Sequence, residues 1–361
     1  MGRPLVEQLS LSNYVYVTSR KPHVSTEKVK YLIGNAKDLV FLSQILAERH
    51  YEAIVDFMVW TEEFARVSQL MLSNTDQYIF ISSARVYAQS DEPITEVTPR
   101  LLDTSEDKEY LSTNEYALAK AREENLLLHS GRNNYTIIRP TITYNSRRLQ
   151  LGVFEKENWL YRVLKGRSIV FSSDIADKIT TMTWGEDVSR GIASLIGEQD
   201  AIGEVFHITC PSSFKWREIL DTYLDVLEQQ LGKRPKVVMT EKSTCFYSKS
   251  RFYQIIYCRY FNRSFDNSKI GRFCDISKFI NPKDGLSICL REFLKNPSFD
   301  NIDWALEGVN DRVAGERTPL AEIHPLNNKV EYLCYRYDLK SIRWIKGKFG
   351  DLYRSVVALR H

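Results

Sequence analysis

Residues 78–87 read YIFISSARVY, and residues 112–120 read STNEYALAK. The first is an apolar strand that runs into a pair of serines, Ser82 and Ser83. The second opens on Ser112 and Glu115, an S-x-x-E capping box expected to start a helix just ahead of Tyr116. Tyr116 and Lys120 are four apart and share one face of that helix. A further apolar run, YTIIRP at 135–140, follows as the next strand. Strand, helix and strand in this order are the repeating pattern of a parallel sheet covered on both faces.

The same alternation extends back to the start of the chain. Strands are expected at 15–18, 29–33, 53–57, 78–82 and 135–139, and helices at 3–11, 37–49, 60–72 and 113–129. Leu39, Leu42, Ile45 and Leu46 fall on one helical face. The fold class is therefore α/β, a Rossmann-like doubly wound parallel sheet. Its first strand is missing, because only Met1 precedes the opening helix. In the order 3-2-1-4-5-6 that strand is central, and its loss would leave buried edges with unpaired backbone groups. The core is assigned to residues 1–145. A smaller C-terminal substrate lobe, with segments returning to the core, is assigned to 146–329, and a docked helical extension to 330–361, where Trp344, Phe349, Leu352 and Val356 lie among charges. Within the lobe a helix is expected in 153–166, a strand pair from 168–171 and 205–209, and a long helix at 216–231.

Composition narrows the class. The 361 residues are 43% hydrophobic and 26% charged, with a net charge of +3, ordinary globular values that do not announce a nucleic-acid binder. No apolar run of spanning length and no leader peptide are read, so the expected compartment is the cytoplasm. Six cysteines stand singly without a C-x-x-C pair, which points to reduced, mostly buried thiols and to no metal site.

The chemistry is read from Ser83, Tyr116 and Lys120. A tyrosine is a poor base at neutral pH, and a neighbouring ammonium favours the phenolate. Ser83, at the carboxyl end of its strand where open α/β sheets bind ligands, is placed to hold a substrate oxygen beside it. A second Y-x-x-x-K, Tyr161 with Lys165, lacks this context and is read as an ordinary surface pair.

With these motifs in order, together with GRPLVEQL (2–9), AIVDFMVW (53–60), IIRPTITY (137–144), TMTWGEDVSRGI (181–192) and GEVFHIT (203–209), residues 2–295 resemble the extended short-chain dehydrogenase/reductase family. The likeness is to its nucleotide-sugar epimerases, dehydratases and reductases. It implies a bound nicotinamide dinucleotide, Tyr116 as acid or base, Lys120 on the nicotinamide ribose, and Ser83 assisting. Gly2 matches the last glycine of the family's G-x-x-G-x-x-G loop. The expectation is an internal methionine taken as the start, with about a dozen upstream residues supplying the strand and the other glycines; the alternative is a chain that has lost its cofactor loop.

Further positions carry over in the same way. Ser19 and Arg20 occupy the slot where NAD users carry an acid, and Arg20 with Lys21 suits a 2′-phosphate, which favours NADP over NAD. Asn35 and Ala36 match the pair flanking adenine, Phe57 and Met58 line the cofactor cleft, and Pro140 and Thr141 lie against the nicotinamide. On the substrate side stand Ser83, Ala84, Ile142, Arg147 and Arg148. Ile142 departs from the family's asparagine, and Ala84–Arg85 from the acidic pair of its dehydratases, so dehydration is the least expected outcome. Asp187 is expected to be structural.

The resemblance thus implies epimerisation or reduction of a nucleotide sugar, often by a homodimer formed through the Tyr116 helix. The rival is an inactive binding protein that engages RNA or an anionic membrane surface. Its candidate surface is residues 233–272, with ten Lys/Arg, two acids and eight aromatics; the plainer reading is a solvated face with aromatics packed inward. The polar stretch 311–318 has no reading from sequence.

Overall fold

The computed structural model describes residues 1–60, 62–246 and 249–339. In chain order the strands are β1 (Val15–Ser19), β2 (Val29–Ile33), β3 (Tyr51–Asp56), β4 (Thr75–Ile81), β5 (Tyr135–Pro140), β6 (Ile142–Tyr144), β7 (Ile169–Ser172), β8 (Ile179–Thr180), β9 (Met182–Trp184), β10 (Val205–Ile208), β11 (Phe214–Lys215) and β12 (Val237–Thr240). Two compact units share them. The first gathers residues 1–147, 179–215 and 256–289; the second gathers 148–178, 216–255 and residues from 290 onward.

The first unit is built on a four-stranded parallel sheet in the order β10-β5-β4-β3. Alternation along β4 explains its two covered faces. Tyr78 and Phe80 point into one layer, against Leu42, Ile45 and Leu46 of the helix Leu39–Ala47 and Phe64, Val67 and Met71 of the helix Phe64–Ser73. Ile79 and Ile81 point into the other, against Leu5 of the helix Gly2–Leu9 and Val188 and Ile192 of the helix Gly185–Ala193. Ile79 and Phe80 are wholly buried, and each contributes about 1.5–3 kcal/mol by leaving water. The doubly wound α/β arrangement follows from this period of two.

β1 and β2 form a separate parallel pair, in register from Val15↔Val29 to Ser19↔Ile33. β3 is an edge of the larger sheet, and no strand among the described residues joins the two. Short pairs complete the unit: β6 with β9, and β8 with β11. The expected partnership of 168–171 with 205–209 does not form. β7 pairs with β12 in the second unit, whereas β10 is hydrogen-bonded to β5 in the first. Asp187 is buried, and its Oδ2 accepts the Ile280 N–H at 2.9 Å.

In the second unit the helix Lys156–Leu164 brings Arg162 into a fully buried charge cluster. Its guanidinium pairs with Glu307, Asp311 and Glu316, each at 2.8 Å, and Nε donates to the Ser168 carbonyl at 3.0 Å. Asp311 also accepts from the Thr318 and Tyr332 hydroxyls, each at 2.8 Å. Within the stretch 311–318, Asp311 and Glu316 thus accept from one arginine and Thr318 braces Asp311, and the Tyr332 hydroxyl brings the helix Leu326–Arg336 to the same cluster as the helix Trp304–Ala314. The latter helix begins the region read as an extension; residues 340–361 lie outside the described residues.

Two surface readings are corrected here. Tyr161 is no surface residue: its ring packs with Trp304 and Ile323, and its hydroxyl donates to Glu322 at 3.1 Å. In 233–272 the aromatics Phe246 and Tyr253 pack inward as the plainer reading expects, but the cations Arg259 and Arg263 are buried as well, so the face is not simply solvated; Tyr247 lies outside the described residues. All six cysteines are free thiols, four of them buried.

Candidate active site

Parallel pairing puts the carboxyl ends of β3, β4, β5 and β10 on one edge of the sheet, so Phe57, Ser83 and Thr141 emerge on the same side. At that edge the chain turns sharply after β4. Ser83 Oγ accepts the Arg85 N–H at 3.2 Å and caps a single 3₁₀ turn, Ala84–Val86. That turn packs on Ala121 of the helix Tyr116–Leu128.

The helix starts at Tyr116, on a cap other than the expected one. Glu115 is the N-cap, with its carboxylate accepting the Ala117 N–H at 2.8 Å. Ser112 instead ends the preceding helix Lys108–Leu111 and donates its hydroxyl to the Glu109 carbonyl. Glu115 also forms a very short ion pair with Arg85, whose guanidinium lies 5.3 Å from the Tyr116 ring centroid. Arg85 therefore links the Ser83 turn to the Tyr116 helix. The sequence reading missed this, although an acid one residue ahead of the tyrosine was a visible signal.

Tyr116 is 38% exposed and its hydroxyl makes no hydrogen bond among the described residues. Lys120 is buried; its ammonium donates to Glu123 at 2.9 Å and lies 4.5 Å from the Phe80 ring centroid. No hydrogen bond joins it to Tyr116. Burial pushes the Glu123 carboxyl up, against the attraction of Lys120. Below this pair, Glu124 is wholly buried and holds three elements together. It accepts from Ser82 Oγ at 2.5 Å, from Arg139 at 2.7 and 2.8 Å, and from Arg100 at 3.1 Å. These charge-assisted bonds fix the helix against β4 and β5.

The residues proposed for the dinucleotide divide. Gly2 begins a helix with no side-chain cap and no acid in its first turn, which leaves its N–H groups free for a pyrophosphate. A Cβ on Gly2 would sit 3.8 Å from the Phe57 ring. Phe57 is 36% exposed at the carboxyl end of β3, and Ile33 is half exposed at that of β2, so apolar surface is available to a planar ligand. Arg20 and Asn35 are exposed, and Ala36 and Met58 half-buried. Ser19 spends its hydroxyl on its own turn, donating to the Lys21 carbonyl at 2.8 Å. Pro140 is buried, and Thr141 donates its hydroxyl to the Thr181 carbonyl at 3.2 Å. These residues fit a nicotinamide dinucleotide, with Lys120 held away by Glu123.

On the substrate side, Ala84 is buried in the turn, and Ile142 is half-buried in β6, paired with Met182. Arg147 is exposed at the end of the first unit; Arg148 opens the second, where it pairs with Glu155 at 3.2 Å.

No protein-family model matches the chain. Among curated proteins it is 25% identical, over 184 residues, to the chloroplast stem-loop binding protein of 41 kDa b from Arabidopsis thaliana; the match covers 51% of this chain and 45% of that protein. The chain thus spans about half the length of that relative. Solved structures align over more of it. The UDP-glucuronic acid 4-epimerase from Bacillus cereus, in complex with UDP-glucuronic acid and NAD, superposes with a TM-score of 0.58 at 16% identity, covering 81% of this chain and 96% of that one. WbmH from Bordetella bronchiseptica, with NAD+, gives 0.61 at 14%, covering 82% and 96%. The dTDP-glucose 4,6-dehydratase from Bacillus anthracis, with NAD, gives 0.60 at 14%, covering 82% and 93%. The likeness at these identities is one of architecture, and the chain has the fold of the NAD-dependent epimerases and dehydratases of the extended short-chain dehydrogenase/reductase family.

Proposed function

We propose that this chain is an NAD(P)-dependent epimerase or reductase of a nucleotide-activated sugar, with Ser83, Tyr116 and Lys120 as its reacting end. The observation that carries this reading is the Ser83 turn clipped to the start of the Tyr116 helix by Arg85, at the carboxyl edge of the sheet. The nicotinamide, when bound, supplies or accepts the hydride. Gly2, Ser19, Arg20, Asn35, Ala36, Phe57, Met58, Pro140 and Thr141 would hold the dinucleotide, and Arg20 favours its 2′-phosphate form. The free Tyr116 hydroxyl moves the proton of the sugar hydroxyl, while the Ser83 hydroxyl holds its oxygen. Lys120 serves a ribose hydroxyl once it shares or leaves Glu123. Ala84, Ile142, Arg147 and Arg148 complete the substrate side.

The direct test is Tyr116→Phe, which removes one oxygen from an exposed ring. Turnover of the accepted nucleotide sugar should fall at least about 100-fold while NADPH binding, followed by its fluorescence, is kept. Unchanged turnover refutes the assignment. A second reading, a binding protein for structured nucleic acid, is supported by the name of the curated relative. It is distinguished by salt: contacts to a phosphate backbone weaken steeply as salt rises. Burial of Arg259 and Arg263 leaves that reading the exposed cations of 233–272 alone. A homodimer through the Tyr116 helix belongs to the enzyme reading, and Leu126 and Leu128 on that helix are 44% exposed.

A further inference from the structure

Beside the Ser83 turn lies a concentration of positive charge that the reaction does not use. Arg263 is 6% exposed, and its guanidinium donates to the carbonyls of Tyr87 at 2.9 Å, Tyr257 at 3.2 Å and Ala88 at 3.3 Å. No carboxylate among the described residues pairs with it, and its buried Nε has no partner. Arg85 lies close enough to act on it electrostatically and likewise carries a buried Nε without a partner; among the described residues its carboxylate partner is Glu115. Arg259, also buried, donates to the Cys258 sulfur at 3.0 Å.

A buried guanidinium with no counter-charge is costly. The cluster shows the effect: desolvation, with Arg85 and Arg259 nearby, holds Arg263 below the ordinary arginine range. Burial alone would push the Cys258 thiol up, but the three arginines outweigh it and the net direction is down. The Cys258 sulfur accepts from Arg259 within this cluster. The cluster is not sealed, since the Arg85 side chain is 19% exposed where it meets Tyr116.

We propose that Arg85 and Arg263 form an oxyanion-binding site at the reacting end, where their two unpartnered Nε–H groups take a carboxylate or phosphate oxygen of the substrate. The inference rests on the reading of Ser83 and Tyr116 as that end, and it narrows the substrate to one whose negative charge reaches the reacting sugar. Arg85, which looked in the sequence like a mere departure from the dehydratase pattern, becomes a specificity determinant.

The test measures binding by the full chain of UDP-glucuronic acid, of UDP-glucose, which carries a neutral hydroxymethyl group in place of the sugar carboxylate, and of inorganic phosphate. Wild type is compared with Arg263→Gln, whose amide keeps two N–H donors for the three carbonyls, and with Arg85→Gln, and the fold of each is checked by circular dichroism. Loss of one charge-assisted contact should weaken binding by about tenfold or more. A loss confined to UDP-glucuronic acid places the sugar carboxylate in the site; an equal loss for both nucleotide sugars places the diphosphate there. If neither nucleotide sugar binds wild type, the enzyme reading fails, yet Arg263-dependent stabilisation by phosphate still supports the oxyanion site. Folded variants that bind all three probes like wild type overturn the proposal. If Arg263→Gln does not fold, Arg85→Gln decides alone.

Discussion

Replacing Arg162 by Met should destabilise the second unit by about 3–5 kcal/mol, the usual cost of removing one partner from a buried ion pair. Methionine keeps the apolar stem of the side chain but stops short of the guanidinium position, so a small void adds to the electrostatic loss. It strips Glu307, Asp311 and Glu316 of their shared cation, although Arg167 still reaches Glu307 at 3.2 Å and Asp311 keeps its two hydroxyl donors. These remaining contacts put the expected loss near the lower bound. In the native cluster, burial pushes the Glu307 carboxyl up despite Arg162 and Arg167. For Asp311 burial also pushes up, but Arg162 and the two hydroxyls outweigh it and the net direction is down. Asp311 therefore adds stability above its unfolded pKa that is lost as pH falls through the folded value. Glu307 does the opposite, regaining stability as it protonates. Without Arg162 both carboxyls rise, so the deficit of the variant should shrink as pH falls from 7 towards 4.5. Urea unfolding followed by tryptophan fluorescence, with amide exchange in the helices Trp304–Ala314 and Leu326–Arg336, measures it. A loss under about 1 kcal/mol at pH 7, or a deficit that grows on acidification, refutes the argument.

Arg20→Ala should abolish a preference for NADPH over NADH in a fluorescence titration, leaving NADH binding as it was; an unchanged preference removes Arg20 from that role. Gly285→Ala should destabilise by about 1–3 kcal/mol, because the added methyl would overlap the Tyr144 hydroxyl. Thermal unfolding reads that change, and Tyr144→Phe should partly restore the double variant.

The sheet was legible because its strands are apolar runs bounded by turns, and β2 matches its expected limits at both ends. Helix starts were less so. Ser112 and Glu115 have capping-box spacing, yet a hydrogen bond to the Glu109 carbonyl captures the serine for the preceding helix, a local competition that spacing does not reveal. Burial of cations was illegible for a different reason. Whether Arg259 and Arg263 face water depends on segments far away in the chain, such as Tyr87 and Ala88. The stretch 311–318 was opaque because its meaning lies in Arg162, which Asp311 meets across 149 residues. The clip between Arg85 and Glu115 lay within reach of reading, since both flank the motifs that drew attention first.

That long separation bears on how the chain is made. A ribosome adding about 5–20 residues per second needs roughly 7–30 s to pass from Arg162 to Asp311, and throughout that interval the guanidinium has no acid to meet. Both units are assembled from three separated stretches of chain, so neither matures while its last stretch is still being translated. The nascent chain should therefore depend on chaperones until residue 316 has emerged, and release of a shorter product by a premature stop would leave Arg162 stranded in a core that has no place for an unpaired charge.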